Sequence, residues 1–153
     1  MVIEKKLVCV LFNAGKKDEL TAQCRERIQA GLAFENVALC FVGAKTEIMK
    51  TTCPNKIVIE LNNCSDTIGN IREIAKFSKD RNFSKISIIS HHYHLARIRI
   101  LLNIFKLKAE LISAEDVLGI KRRKSSLEYG LILGTIFYWF LGMVKNGLFF
   151  KVE

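Results

Sequence analysis

No two cysteines of this chain are spaced as C-x-x-C, and the five present (Cys9, Cys24, Cys40, Cys53, Cys64) are odd in number and lie within the first 64 residues. A disulfide framework and a zinc cluster are therefore not expected. Cys9 and Cys40 stand in apolar runs, where a reduced thiol acts as a small hydrophobe, and a reducing cytosol fits best. Proline occurs once, at Pro54, and no repeat or low-complexity tract is present, so nothing reads as disordered or collagenous. No loop carries G-x-G-x-x-G or G-x-x-x-x-G-K-[ST], so ordinary dinucleotide and P-loop chemistry is not expected. The first apolar run, residues 7–12, ends at Asn13-Ala14-Gly15 and is too short for a secretory signal. A cytoplasmic location is expected, with the periphery of the inner membrane as the alternative.

What the chain does have is 153 residues, half of them apolar, which fits one domain with a sizeable core. Its formal charge is +9. Most lysines are scattered, and only Lys121-Arg122-Arg123-Lys124 forms a block. No basic stripe interleaves with aromatics, so a nucleic-acid partner is not expected.

Short β-branched runs alternate with longer segments of helical period. Strands are expected at 7–12, 37–42, 56–61, 85–90 and 108–113. Helices are expected at 18–34 (Asp18 as N-cap), 46–52 (stopped by Pro54), 66–81 and 93–105, with an apolar C-terminal helix over 125–150. Residues 114–124 read as a polar, basic connection. Such alternation implies an α/β fold: one three-layer, Rossmann-like domain over 1–153, with a mainly parallel sheet of about five strands. Ligands of such folds bind outside the carboxyl ends of the strands, so the loops after strands are where chemistry is expected.

Those loops hold most of the unusual polar residues. Asn13 and Gly15 follow strand one, Gly43 and Glu47 strand two, and Ser65, Thr67 and Asn70 strand three. All three histidines, His91, His92 and His94, follow strand four. His91 and His92 adjoin at a strand end and should point to opposite sides, which makes them poor joint metal ligands. His94 and Arg97 are three apart and share a helical face. An imidazole beside a guanidinium suits an anionic ligand, with His94 as acid, base or hydrogen-bond donor. A helix-capping histidine and an arginine paired to a carboxylate fit these residues equally well.

Ser90-His91-His92-Tyr93-His94-Leu95-Ala96-Arg97 resembles the strand-loop-helix signature of the SanA/YdcF-like proteins, an envelope-related bacterial family of unknown biochemical function. Tyr93, His94 and Arg97 match its aromatic, histidine and arginine. Cys24-Arg25-Glu26-Arg27-Ile28-Gln29 resembles the family's arginine-bearing first helix, with Arg27 in place. Val42-Gly43-Ala44-Lys45-Thr46-Glu47 resembles its glycine-rich loop and following glutamate. Ser65-Asp66-Thr67-Ile68-Gly69-Asn70 resembles its serine/threonine-and-asparagine motif, and Glu128 its acidic residue on the last helix. The likeness covers residues 7–129. The chain departs from the pattern with Asn13-Ala14 where glycines are usual, one glycine in the second loop, and Gly69 where a glutamate is common.

The post-strand loops and the resemblance together imply a site: Asn13 and Gly15 from the first loop, and Arg27, Gly43, Glu47, Ser65, Thr67, Asn70 and Arg97 from the matched motifs, with Glu128 beside them and His94 as the catalytic candidate. No metal set is present and no cofactor is assigned. Two readings stand. One is an enzyme acting on a small phosphate- or carboxylate-bearing, nucleotide-like ligand; the other is a non-catalytic regulatory or membrane-associated module in envelope biogenesis. Arg27, Glu47, His94 and Arg97 are expected to converge on one cleft, with Glu47 between the arginines. Residues 131–144 carry no charge. Fourteen residues fall short of the roughly twenty that span a bilayer, so this helix is expected to be mostly covered, by the core or a second subunit. Contact with a membrane surface is the alternative, because the basic block lies just upstream.

Overall fold

The computed structural model describes residues 6–12, 19–79 and 81–145, the last four by backbone only. Five strands form one parallel sheet: β1 (Lys6–Leu11), β2 (Ala38–Val42), β3 (Val58–Leu61), β4 (Lys85–Ser90) and β5 (Glu110–Ser113), in the order β3-β2-β1-β4-β5. The register runs Cys9 beside Cys40 and Ile88, Cys40 beside Ile59, and Ile88 beside Leu111. The expected α/β, Rossmann-like class is therefore observed. The order reverses direction at β1, so the connections after β1 and β4 leave toward opposite sides and open a crevice between them.

β1 is buried from Leu7 to Leu11 because helices cover both faces of the sheet. Leu7, Cys9 and Leu11 pack with Ile71, Ile74, Ile98 and Leu101 from α3 (Thr67–Lys79) and α4 (His92–Ile104). Val8 and Val10 face the other way, onto Cys24 and Ile28 of α1 (Ala22–Leu32) and Met49 of α2 (Thr46–Thr51). A Cβ at Gly31 would stand 2.6 Å from Val10 Cγ2, so the absence of a side chain lets α1 lie this close to the sheet. All five cysteines are buried and unbridged, as the apolar surroundings of Cys9 and Cys40 imply.

Helix starts follow local capping. Thr21 Oγ1 accepts from Cys24 N at 3.0 Å, so α1 begins at Ala22; the expected cap, Asp18, lies outside the described residues. Asp66 Oδ1 accepts from Gly69 N at 2.6 Å and opens α3. The connection expected over 114–124 contains a helix, α5 (Ala114–Leu118). Ser113 Oγ caps it, accepting from Asp116 N, and Gly119 ends it at φ 66°. The S-x-x-D spacing and the following glycine are the local reason.

The last helix, α6 (Leu127–Lys145), packs on α4. Only Glu128 and Thr135 of its described side chains are buried, and Ile132 is half-buried. The expectation that the chain's own core covers this helix is corrected. One stripe touches α4, and Ile136 to Leu141 are 42–62% exposed. Residues 146–150 of the expected helix lie outside the described residues. No described helix is long and apolar enough to cross a membrane.

Candidate functional site

Four strand ends meet at one edge of the sheet and wall a cleft of about 280 Å³. Phe12 follows β1, Gly43 and Ala44 follow β2, Ser65 to Thr67 follow β3, and Tyr93 and His94 follow β4. Arg27 reaches in from α1, Asn70 from α3 and Arg97 from α4; Leu127, Glu128 and Leu131 of α6 close one side. Gly43 makes the close approach possible. Its φ is +147°, and a Cβ there would lie 2.3 Å from Phe12 Cβ.

Of the residues named from the sequence, Arg27, Gly43, Ser65, Thr67, Asn70, His94, Arg97 and Glu128 share this cleft. Asn13 and Gly15 lie outside the described residues. Glu47 does not join them. It is exposed on the first turn of α2, away from the cleft wall, because helical geometry turns Thr46 and Met49 inward instead. The carboxylate expected between the arginines comes from Glu128, which lies 3.1 Å from Arg97 Nε.

His94 sits at the centre. Arg97 Nη2 stands 2.6 Å from His94 Nε2 and donates at 2.9 Å to Thr67 Oγ1, which is 3.2 Å from the same ring nitrogen. Arg97 has only protons to offer, so Nε2 must be the acceptor and the ring proton is on Nδ1. Nδ1–H then donates to Ser90 Oγ at 2.8 Å. Burial, then the charges of Arg27 and Arg97, push the His94 pKa down to about 2. The imidazole is therefore neutral, and its lone pair is already engaged.

A second network fixes Arg27, which is buried beneath the cleft. Its Nε donates to His91 Nδ1 at 2.9 Å and its Nη1 to the Leu11 carbonyl at 3.1 Å. His91 Nε2–H in turn donates to Glu26 at 2.7 Å, and Arg123 Nη2 donates to the other oxygen of Glu26 at 2.6 Å. Burial raises the Glu26 carboxyl, but hydrogen bonds from Arg123 and His91 outweigh it and hold the group below its ordinary value. Burial lowers His91, which stays neutral between its partners. His91 is buried and His92 exposed, the opposite orientations expected of adjacent residues at a strand end.

Sequence reasoning missed Glu115 of α5. It is buried; its Oε2 accepts from His92 N and Ser113 Oγ, both at 2.9 Å, and its Oε1 accepts from Arg123 N at 3.2 Å. The first turn of α4 thus has a carboxylate already in place, so an incoming anion is held by side chains rather than by that helix end. Sequence spacing gives no sign of this, because Glu115 and His92 meet only through the pairing of β4 with β5.

Two groups are poised for a ligand. Asn70 Oδ1 is buried with no hydrogen-bond partner among the described residues, which calls for a donor from outside. Arg97 Nε and Glu128 Oε1 are close enough for an ion pair, yet neither makes a directed hydrogen bond among the described residues. Burial raises the Glu128 carboxyl, and Arg97 and Arg27 only partly offset that. Cys64 adjoins Ser65, but burial pushes its thiol up to about 11, so it offers no thiolate at neutral pH. Among the described residues no group of side chains is arranged to hold a metal ion. Compared with protein-family models, with curated proteins and with solved structures, the chain matches none of them.

Proposed function

We propose that this cleft binds a small ligand bearing a phosphate or carboxylate, nucleotide-like in chemistry, with its anion seated between Arg27 and Arg97. The observation that carries the reading is two guanidiniums lining one small cleft in which, among the described residues, only Glu128 stands within ion-pair distance of either, at Arg97. The other carboxylate of the lining, Asp66, accepts from Gly69 N. A ligand anion substitutes for Glu128 at Arg97, where charge-assisted hydrogen bonds are strongest. Asn70 Oδ1, Ser65 and Thr67 supply the polar contacts that orient the rest of the ligand. The volume lies at the small end for ligand sites, which favours a compact molecule.

Binding is the primary reading and catalysis the second. A base held near pKa 2 abstracts protons poorly at neutral pH. One observation favours chemistry: the Thr67 hydroxyl lies 3.2 Å from His94 Nε2, so a bound anion that draws Arg97 off that nitrogen leaves Thr67 as its nearest hydrogen-bond donor. A bound anion cancels the charges of Arg27 and Arg97 and so makes His94 more basic. The likeness to SanA/YdcF-like proteins, and a regulatory role in envelope biogenesis, belong to the same proposal.

Titration calorimetry with inorganic phosphate and with nucleoside monophosphates tests it. Arg97→Met should weaken binding by one to three orders of magnitude, about 1.5–4 kcal/mol, and remain folded. Equal affinity in the two proteins would remove the site.

A further inference from the structure

The exposed surface of α6 is the largest feature that the cleft leaves unexplained. Tyr129, Leu133 and Ile136 to Leu141, none of which lines the cleft, are all between 42% and 76% exposed. Contiguous apolar surface on this scale marks an interaction site. The form of the exposure identifies the partner. Successive residues of a helix are turned by about 100° from one another, so the six from Ile136 to Leu141 point in every direction around the axis. A second copy packed against one side leaves the others wet; insertion into the headgroup and acyl boundary of a bilayer covers more of the circumference.

Charge points the same way. The block Lys121-Arg122-Arg123-Lys124 lies just before α6, and Lys145 ends it. Arg122 and Arg123 are held by Asp116 and Glu26, while Lys121 and Lys124 are exposed with no ion pair among the described residues. A second copy would bring the same basic block and another +9 of charge, whereas anionic lipid headgroups complement it. The uncharged stretch 129–144 is about 24 Å long at 1.5 Å per residue, short of the roughly 30 Å hydrocarbon core. Trp139 and Tyr138 sit in the middle of the stretch, where a spanning helix seldom places them but where an interfacial one meets the headgroup level.

We infer that α6 is a membrane-docking element that inserts residues 136–141 into the interface of an anionic bilayer, with Lys121 and Lys124 on the headgroups. The inference does not depend on the ligand proposed for the cleft.

The full chain is tested by flotation with vesicles of phosphatidylcholine alone or with one quarter phosphatidylglycerol. Fluorescence of Trp139, the only tryptophan, is read in parallel. The protein should float with the anionic vesicles, and Trp139 emission should shift to the blue and be quenched by lipids brominated in their acyl chains. Phe137→Glu with Leu141→Glu should reduce partitioning at least about tenfold, because two charges must then enter the interface. Lys121→Glu with Lys124→Glu should reduce it about tenfold or more and remove most of its salt dependence. Both pairs alter exposed side chains, so circular dichroism should be unchanged. Three outcomes overturn the inference. The protein fails to float with either vesicle, or the Phe137/Leu141 variant binds like the wild type, or Trp139 shifts with protein concentration in the absence of lipid. The last would assign the helix to self-association.

Discussion

In the folded protein His94 takes up a proton only near pH 2, whereas in the unfolded chain it titrates at its ordinary 6.5. Between those values the unfolded state binds the extra proton, so stability is complete above 6.5 and falls as the pH drops toward 2. Each pH unit in that window is worth about 1.4 kcal/mol. Acidification from pH 7 to pH 5 should therefore remove about 2 kcal/mol through His94 alone. Glu26 and Glu115 are held below their ordinary 4.5 and act only in more acid solution. His91, also lowered, adds to the loss, and Glu128, raised, opposes it. The contribution of His94 is isolated by comparison with His94→Gln, which keeps a hydrogen-bonding side chain and removes the titrating group. At pH 7 that variant should lose about 1–3 kcal/mol, since glutamine cannot serve Ser90, Thr67 and Arg97 as the imidazole does. Its further loss on going to pH 5 should be smaller than the wild type's by about 2 kcal/mol. Urea unfolding at pH 7, 6 and 5 reads the difference, provided the m-values stay constant. Histidine chemical shifts check it directly, and saturating phosphate should move the His94 midpoint upward. An acid loss equal to the wild type's, or a His94 resonance titrating near 6.5 in the free protein, would refute the reasoning.

Arg97→Met and Glu128→Gln should each cost about 1–3 kcal/mol at pH 7, because each leaves a buried partner unpaired, and the double variant should cost clearly less than their sum. The Arg97 variant should recover part of its loss as the pH falls, because Glu128, its carboxyl raised by burial, takes up a proton before it would in the unfolded chain. Strict additivity in the urea cycle would show that the 3.1 Å approach carries no coupling. Gly43→Ala should destabilise by about 2–5 kcal/mol, combining backbone strain at φ +147° with the clash against Phe12. A loss below about 1 kcal/mol would mean that the loop relaxes freely.

The periodicity that distinguishes strands from helices in this chain is strong because the sheet is covered on both sides. Each strand then reads as an apolar run, and each helix as a three- and four-residue stripe. β4 is expected at 85–90 and found there. α5 was missed because a one-turn helix carries no apolar period, and its signal is the cap at Ser113 rather than a stripe. Glu47 was misplaced for a related reason. The spacing puts it on a helix after the glycine loop, but the rotation of that helix about its axis is set by the burial of Thr46 and Met49.

By itself the sequence determined the fold class, the strand ends that carry chemistry, and the polar residues gathered there, because these follow from local periodicity and from a parallel sheet placing its carboxyl ends on one edge. Tertiary structure decided which groups meet. Glu128 reaches Arg97 from a helix thirty residues away, and Glu115 caps α4 through strand pairing. The proton on His94 is placed at Nδ1 by a guanidinium 2.6 Å from the other nitrogen. It also decided that α6 keeps its apolar surface exposed, since composition sets how apolar a helix is and only packing sets how much of it the protein covers.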